Sequence, residues 1–236
     1  MLVAHRGFRS PAGENRMVDF INALQICRGV EFDIRMTKDQ KIIIFHDHNF
    51  KRIGNVNKTV RSFTYQEIKT IDFFVKNPAM LPPLFIEDFG NKIAEQYQLI
   101  NVEIKPDRYT PEEFEMLKNA LLTLRTKTTA EIIVSSFGHS ALTFITTLDK
   151  EFKKGYLVES LKDIDEDLIQ HFDYLHPSID TAKQKKNVPV IKKLNLPLNL
   201  WTFKNNKDVK AINNLYDKTF IHGYISDIAT LNPNLR

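Results

Sequence analysis

Short apolar runs rich in β-branched and aromatic residues recur along the chain, each followed by a stretch in which apolar residues return with the helical period. Eight such runs are strand candidates: 2–5, 29–35, 99–105, 131–137, 154–159, 173–178, 196–203 and 222–227. Between them the period predicts helices over 15–26, 85–96, 111–125, 140–151, 164–170, 182–194 and 207–216. Strand alternating with helix means parallel strands joined by crossover helices. The pattern therefore predicts an α/β fold of the (β/α)8, TIM-barrel type.

One run breaks the alternation. Lys41 to His46 follows the second strand after only Thr37-Lys38-Asp39-Gln40. A parallel neighbour needs a crossover of about a dozen residues, so these two must form an antiparallel hairpin. Its return arm brings His46 and Asp47 to the level of Glu31 and Asp33. Residues 48–83 read weakly, with a short helix over 65–73, and are expected to form an insertion capping the site. Residues 1–236 are read as one domain, because barrels of this class run to about 250 residues as a unit.

Composition narrows the setting. Apolar residues make up 42% of the 236, with seventeen Phe and only eight Gly, enough to fill a large core. No run approaches the roughly 18 apolar residues of a membrane span, and the N-terminus lacks the features of a secretory signal. The single Cys27 permits no internal disulfide, so a cytoplasmic protein is expected. Net charge is +4, but the basic residues are scattered and form no stripe interleaved with aromatics, so no nucleic-acid partner is expected. Peripheral membrane contact and oligomeric state stay open.

Catalytic groups of such barrels lie at the carboxyl ends of the strands, and polar residues gather there. The first strand ends in His5-Arg6-Gly7, the second carries Glu31-Phe32-Asp33, the hairpin ends in His46-Asp47, and the third parallel strand ends in Glu103-Ile104-Lys105. Residues two apart on a strand share a face, so Glu31 pairs with Asp33 and Glu103 with Lys105. Three carboxylates converging on the axis repel one another unless a cation compensates. Oxygen-only ligands favour one divalent Mg²⁺ or Ca²⁺ over Zn²⁺. The competing reading is a set of salt bridges from Glu31, Asp33 and Glu103 to Arg6, Arg35 and Lys105. His5 and His46 are candidates for general acid and base, since imidazole titrates near neutrality, and Arg6 and Lys105 supply positive charge for a phosphate.

In order, the chain reads His5-Arg6-Gly7, Gly13-Glu14-Asn15, Gly29-Val30-Glu31-Phe32-Asp33, Thr37-Lys38-Asp39, His46-Asp47, Leu81-Pro82-Pro83-Leu84, Glu103-Ile104-Lys105, Ser135-Ser136-Phe137 and Trp201-Thr202. This ordered set resembles the glycerophosphodiester phosphodiesterase family over nearly the whole chain. The resemblance implies a metal-dependent enzyme that hydrolyses glycerophosphodiesters to glycerol 3-phosphate and an alcohol. It implies Glu31, Asp33 and Glu103 as metal ligands, His5 and His46 as proton carriers, and Arg6 and Lys105 as the phosphate grip. It also implies first attack by a hydroxyl of the substrate's own glycerol. Glu14 then orients Arg6 or a metal-bound water, or else simply starts a helix; Trp201 walls the substrate pocket or fills the barrel core. His176 stands where it could line the leaving-group side, and Asp227 where it could cap the following turn.

Gly13 and Arg16 replace the family's usual Pro and Thr, and Gln40 its usual hairpin Gly, so a different turn type is expected there. Two alternatives remain. A barrel acting on intact phospholipid, like phospholipase D-type relatives, would expose an apolar rim, for which Phe73, Phe74, Met80 and Leu81 are available. A barrel that binds a phosphodiester without turnover would have lost a His or a metal carboxylate.

Overall fold

In the computed structural model, which describes residues 1–235, the strands are β1 (Leu2–His5), β2 (Gly29–Met36), β3 (Ile42–Ile44), β4 (Leu99–Ile104), β5 (Glu131–Ser136), β6 (Lys153–Val158), β7 (Tyr174–Pro177), β8 (Leu198–Phe203) and β9 (Ile221–Ser226). Eight run parallel around a ring in the order β1-β2-β4-β5-β6-β7-β8-β9, and β9 pairs with β1 to close it. β3 lies antiparallel to β2 with Ile34 opposite Ile44, as the short connection demands. The hairpin keeps a left-handed turn residue: Gln40 adopts φ 60° where glycine would do so without strain. The architecture is the (β/α)8 barrel that the alternation predicts.

β2 and β4 are buried on both faces, because one face meets the helices and the other the barrel interior. The outward side chains Val30, Phe32 and Ile34 join the main apolar cluster, where Phe32 and Phe89 meet with ring centroids 4.5 Å apart. Inside the barrel, Val3, Leu99, Ile133, Tyr174 and Ile225 form an apolar floor. The inward carboxylates of β2 and β4 stand above that floor, at the mouth.

The helices are α1 (Met17–Ala23), α2 (Tyr65–Lys69), α3 (Asp72–Lys76), α4 (Pro111–Lys127), α5 (His139–Thr146), α6 (Glu166–Ile169), α7 (Ile179–Ala182), α8 (Val188–Leu194) and α9 (Asn206–Leu215). α4 starts as its sequence dictates: Thr110 accepts from the Glu113 amide, Glu113 reaches back to the Thr110 amide, and Pro111 occupies the first turn. Several predicted helices come out shorter. The 15–26 segment begins at Met17, after Asn15 takes a left-handed φ of 57°. Residues 85–96 form a π-helical turn over Phe85–Gly90 and a 3₁₀ turn over Ala94–Gln96 in place of one continuous α-helix. The 182–194 segment divides into the end of α7 and α8, since Pro189 cannot donate a helix-interior hydrogen bond and sits in the first turn of α8.

Segment 48–83 contains α2, α3 and two 3₁₀ turns packed over an apolar cluster of their own. Ile43, Phe45, Phe50, Val60, Ile68 and Phe74 lie at its centre, with Phe73, Met80 and Leu81 packed against it. The four residues available for an apolar rim do not form an exposed one. Phe74 is buried, Phe73, Met80 and Leu81 are partly covered, and of the large hydrophobic residues of this segment only Val75 is exposed. No helix among the described residues is long and apolar enough to cross a membrane.

Candidate active site

Strand register assembles the site. Parallel pairing sets His5 beside Glu31 and Asp33 beside Glu103, all at the carboxyl ends of β1, β2 and β4. The loop after β1 turns sharply, with Arg6, Gly7 and Phe8 all at positive φ. At Gly7 a Cβ would come within 2.7 Å of the Asp19 Cβ, so only glycine lets the loop lie against α1. This turn aims Arg6 back over the barrel mouth.

Oxygens of Glu31, Asp33 and Glu103 lie within 4.8 Å of one another, and all three side chains are buried. Two cations reach them. Arg6 Nε is 3.1 Å from Asp33, and Lys105 Nζ is 2.6 Å from Glu103 and 3.4 Å from Asp33. The salt-bridge reading thus holds for Arg6 and Lys105. Arg35 goes elsewhere, donating from Nε to the His46 carbonyl at 2.9 Å.

The cations do not balance the carboxylates. Burial, reinforced by the Asp33 and Glu103 charges, pushes the Glu31 carboxyl well above the usual carboxylate range. Burial likewise raises Glu103, to about 7, against the pull of Lys105. Burial alone would raise Asp33 too, but Arg6 and Lys105 outweigh it and hold Asp33 below the usual range. Asp33 Oδ1 is buried and accepts no hydrogen bond. An oxygen-only donor set with excess negative charge and an unsatisfied buried acceptor fits a hard divalent cation.

Two histidines flank this cluster, each backed by a carboxylate. His5 Nδ1 lies 2.5 Å from Asp227 Oδ1, and its Nε2 lies 3.9 Å from Glu31. Burial lowers the His5 pKa although Asp227 pulls it upward. His46 Nδ1 lies 2.8 Å from Asp47 Oδ1, and Arg35 fixes its backbone from β2. Nδ1–H directed at a carboxylate leaves Nε2 of each ring as the nitrogen able to exchange a proton.

A cavity of about 480 Å³ opens at this mouth, and His5, Arg6, Glu31, His46, Glu103, Lys105 and Trp201 all line it. Asp33 lies beneath, with no exposed surface. Trp201 is a wall residue whose Nε1 donates to the His176 carbonyl at 2.8 Å and whose ring meets Phe137 edge-on at 5.4 Å. Glu14 stands behind Arg6, accepting from Arg6 Nη1 at 2.9 Å, and does not line the cavity. His176 also misses it. Fully buried in the barrel, His176 pairs through Nε2 with Asn199 Nδ2 at 2.9 Å, and burial pushes its pKa down to about 3.

Sequence reasoning missed four supports. Asn15 Nδ2 donates to Asp33 Oδ2 at 2.9 Å, Arg35 holds His46, Asp227 meets His5, and Arg52 bridges Asp47 and Glu14. Only Asn15 lay inside a motif with a readable spacing.

The profile of the Glycerophosphoryl diester phosphodiesterase family matches residues 5–228. The uncharacterized protein MG293 of Mycoplasma genitalium is 35% identical over 211 residues, 86% of each chain. A glycerophosphodiester phosphodiesterase of Caldanaerobacter subterraneus subsp. tengcongensis is 29% identical over 172 residues, 67% of each. An Oleispira antarctica phosphodiesterase, solved in complex with the product sn-glycerol-3-phosphate, shares the fold with a TM-score of 0.78 at 22% identity, over 96% of this chain and 92% of that one.

Proposed function

This chain belongs to the glycerophosphoryl diester phosphodiesterase family, and from that premise we propose that it hydrolyses glycerophosphodiesters to sn-glycerol 3-phosphate and an alcohol with the help of one divalent cation. The observation that carries the reading is the meeting of Glu31, Asp33 and Glu103 within 4.8 Å at a cavity that two histidines and two cations also line.

In this reading Glu31, Asp33 and Glu103 hold Mg²⁺ or Ca²⁺, both of which accept carboxylate oxygens. A bound cation offsets the negative charge that develops on the phosphoryl oxygens. Arg6 and Lys105 bind the same phosphate from the protein side, Arg6 through a guanidinium able to hold two oxygens at once. Their charge is worth most in the transition state, where the phosphoryl group is most polarised. His5 and His46 move the protons: one neutral ring takes the proton of the substrate's attacking glycerol hydroxyl while the other, protonated, gives one to the departing alcohol oxygen. With the roles reversed, water then opens the resulting cyclic phosphate to glycerol 3-phosphate. Asp227 and Asp47 steady whichever ring carries the charge. Trp201 and Phe137 bound the organic part of the substrate.

The covered side chains of segment 48–83 speak against intact phospholipid as the substrate, and the retention of both histidines and all three carboxylates against a purely binding barrel. The test is release of glycerol 3-phosphate from choline, ethanolamine, glycerol and inositol glycerophosphodiesters, with and without chelator, in the wild type and in His46→Ala. Chelator-sensitive release that the substitution lowers by about 10²–10⁴-fold is the expected result. Release of free alcohol from intact phosphatidylcholine alone would overturn the substrate assignment.

A further inference from the structure

Arg52 lies outside the cavity wall, on segment 48–83, yet it ties the two sides of the site together. Its Nε and Nη2 grip the Asp47 carboxylate at 2.7 and 2.9 Å, and its Nη2 and Nη1 grip the Glu14 carboxylate at 2.6 and 3.1 Å. Each carboxylate is shared with a residue that lines the cavity. Asp47 Oδ1 is 2.8 Å from His46 Nδ1, and Glu14 Oε1 accepts from Arg6 Nη1 at 2.9 Å. We propose that Arg52 is a positioning residue for the phosphodiesterase reaction, fixing the His46 ring through Asp47 and the Arg6 guanidinium through Glu14 at the same time. The inference rests on the roles proposed above for His46 and Arg6.

The guanidinium geometry explains why an arginine stands here. All three of its nitrogens are used, in one plane, to hold two carboxylates side by side; a lysine ammonium, a point charge on a flexible stem, can satisfy one of them or hover between. Against burial, hydrogen bonds from His46 and Arg52 hold Asp47 below the usual carboxylate range, and those from Arg52 and Arg6 do the same for Glu14. Both partners therefore stay anionic across the neutral range.

The loop carrying Arg52 is anchored. Phe50, two residues earlier, is fully buried and packs its ring against Phe45 at 4.9 Å and Phe74 at 5.7 Å. The chain then turns through Gly54 at φ 110° and returns so that the Val56 amide donates to the Phe50 carbonyl at 3.1 Å. The separate apolar cluster of segment 48–83 thus delivers one guanidinium to a fixed point behind the active site.

The experiment is a set of double-mutant cycles on glycerophosphocholine hydrolysis with saturating divalent cation, using Arg52→Lys, Arg52→Gln, Asp47→Asn and His46→Ala, with thermal unfolding of each variant. Arg52→Lys and Arg52→Gln should both lower kcat about tenfold, a part of the roughly 10²–10⁴ that a positioned proton-transfer group contributes. In the His46→Ala background Arg52→Gln should change kcat less than about twofold, because the ring it orients is gone. Arg52→Gln should likewise add little to Asp47→Asn, while raising KM in every background through Arg6. A wild-type rate in Arg52→Lys overturns the inference. So does an equal fall in kcat with and without His46, or a loss that follows the melting temperature. A wild-type chain that releases no glycerol 3-phosphate from any glycerophosphodiester overturns the functional reading, and this inference with it.

Discussion

The His5 imidazole and the Asp227 carboxylate meet at 2.5 Å across the seam where β1 pairs with β9. The contact joins residues 222 positions apart, so it exists only in the closed barrel. A carboxylate on Nδ1 fixes the tautomer and directs Nε2 to the cavity, where it lies 3.9 Å from Glu31. Asp227→Asn preserves shape but lets the ring take the wrong tautomer, as in other carboxylate–histidine pairs. The expected result is a fall in kcat of about 10²–10⁴-fold with little change in KM. Steady-state kinetics that leave kcat intact would show that Asp227 serves only the fold.

The three clustered carboxylates predict a pH signature in metal-free protein. Folding raises the Glu103 pKa from its ordinary 4.5 to about 7, so its stabilising contribution is full below 4.5 and is lost as pH rises through 7. Glu103→Gln cannot ionise. In chelator it should therefore gain thermal stability relative to the wild type over that range, on the order of 5 °C. Excess Mg²⁺ or Ca²⁺ should reverse the order, stabilising the wild type more than the variant. A wild-type-minus-variant difference that stays flat with pH would remove the argument for a crowded carboxylate site.

Arg6 is held by Asp33 and Glu14 in a loop that adopts positive φ at three successive residues. Arg6→Lys keeps the charge but loses the fork. It should lower kcat/KM about tenfold or more, chiefly by weakening phosphate binding. Competition by inorganic phosphate offers a direct readout: its inhibition constant should rise in parallel. An unchanged inhibition constant would remove Arg6 from the phosphate grip.

His176 makes the opposite prediction. It is buried and neutral beneath the cavity, bonded to Asn199. His176→Ala leaves a void and an unpaired amide, at a cost of about 2 kcal/mol in stability. Denaturant unfolding should detect that loss while kcat stays near wild type. A large drop in kcat at unchanged stability would return His176 to the list of substrate contacts.

Much of this architecture could be read from local sequence, because a parallel strand buried on both faces leaves an apolar run and its catalytic end leaves charges two residues apart. Glu31 with Asp33, and Glu103 with Lys105, were legible for that reason. Helix extents were less so. Pro189 acts on backbone hydrogen bonding in a way that an apolar period does not report. The supports of the site were hidden for a different reason. Arg52 finds Glu14 38 positions away and Asp227 finds His5 222 away, pairings that chain topology decides and that no local spacing records. Whether Phe73, Phe74, Met80 and Leu81 are exposed was hidden in the same manner, since an apolar residue in an irregular segment can belong to a surface patch or to a small core of its own.

That small core makes segment 48–83 a candidate for opening on its own, as a unit of lower stability than the barrel beside it. Were it to unfold locally, the barrel would keep its closed sheet and its three carboxylates, but Arg52 would leave. Warming should then lower turnover about tenfold some degrees before the barrel melts. Amide hydrogen exchange would show α2 and α3 losing protection while β2 and β4 retain theirs.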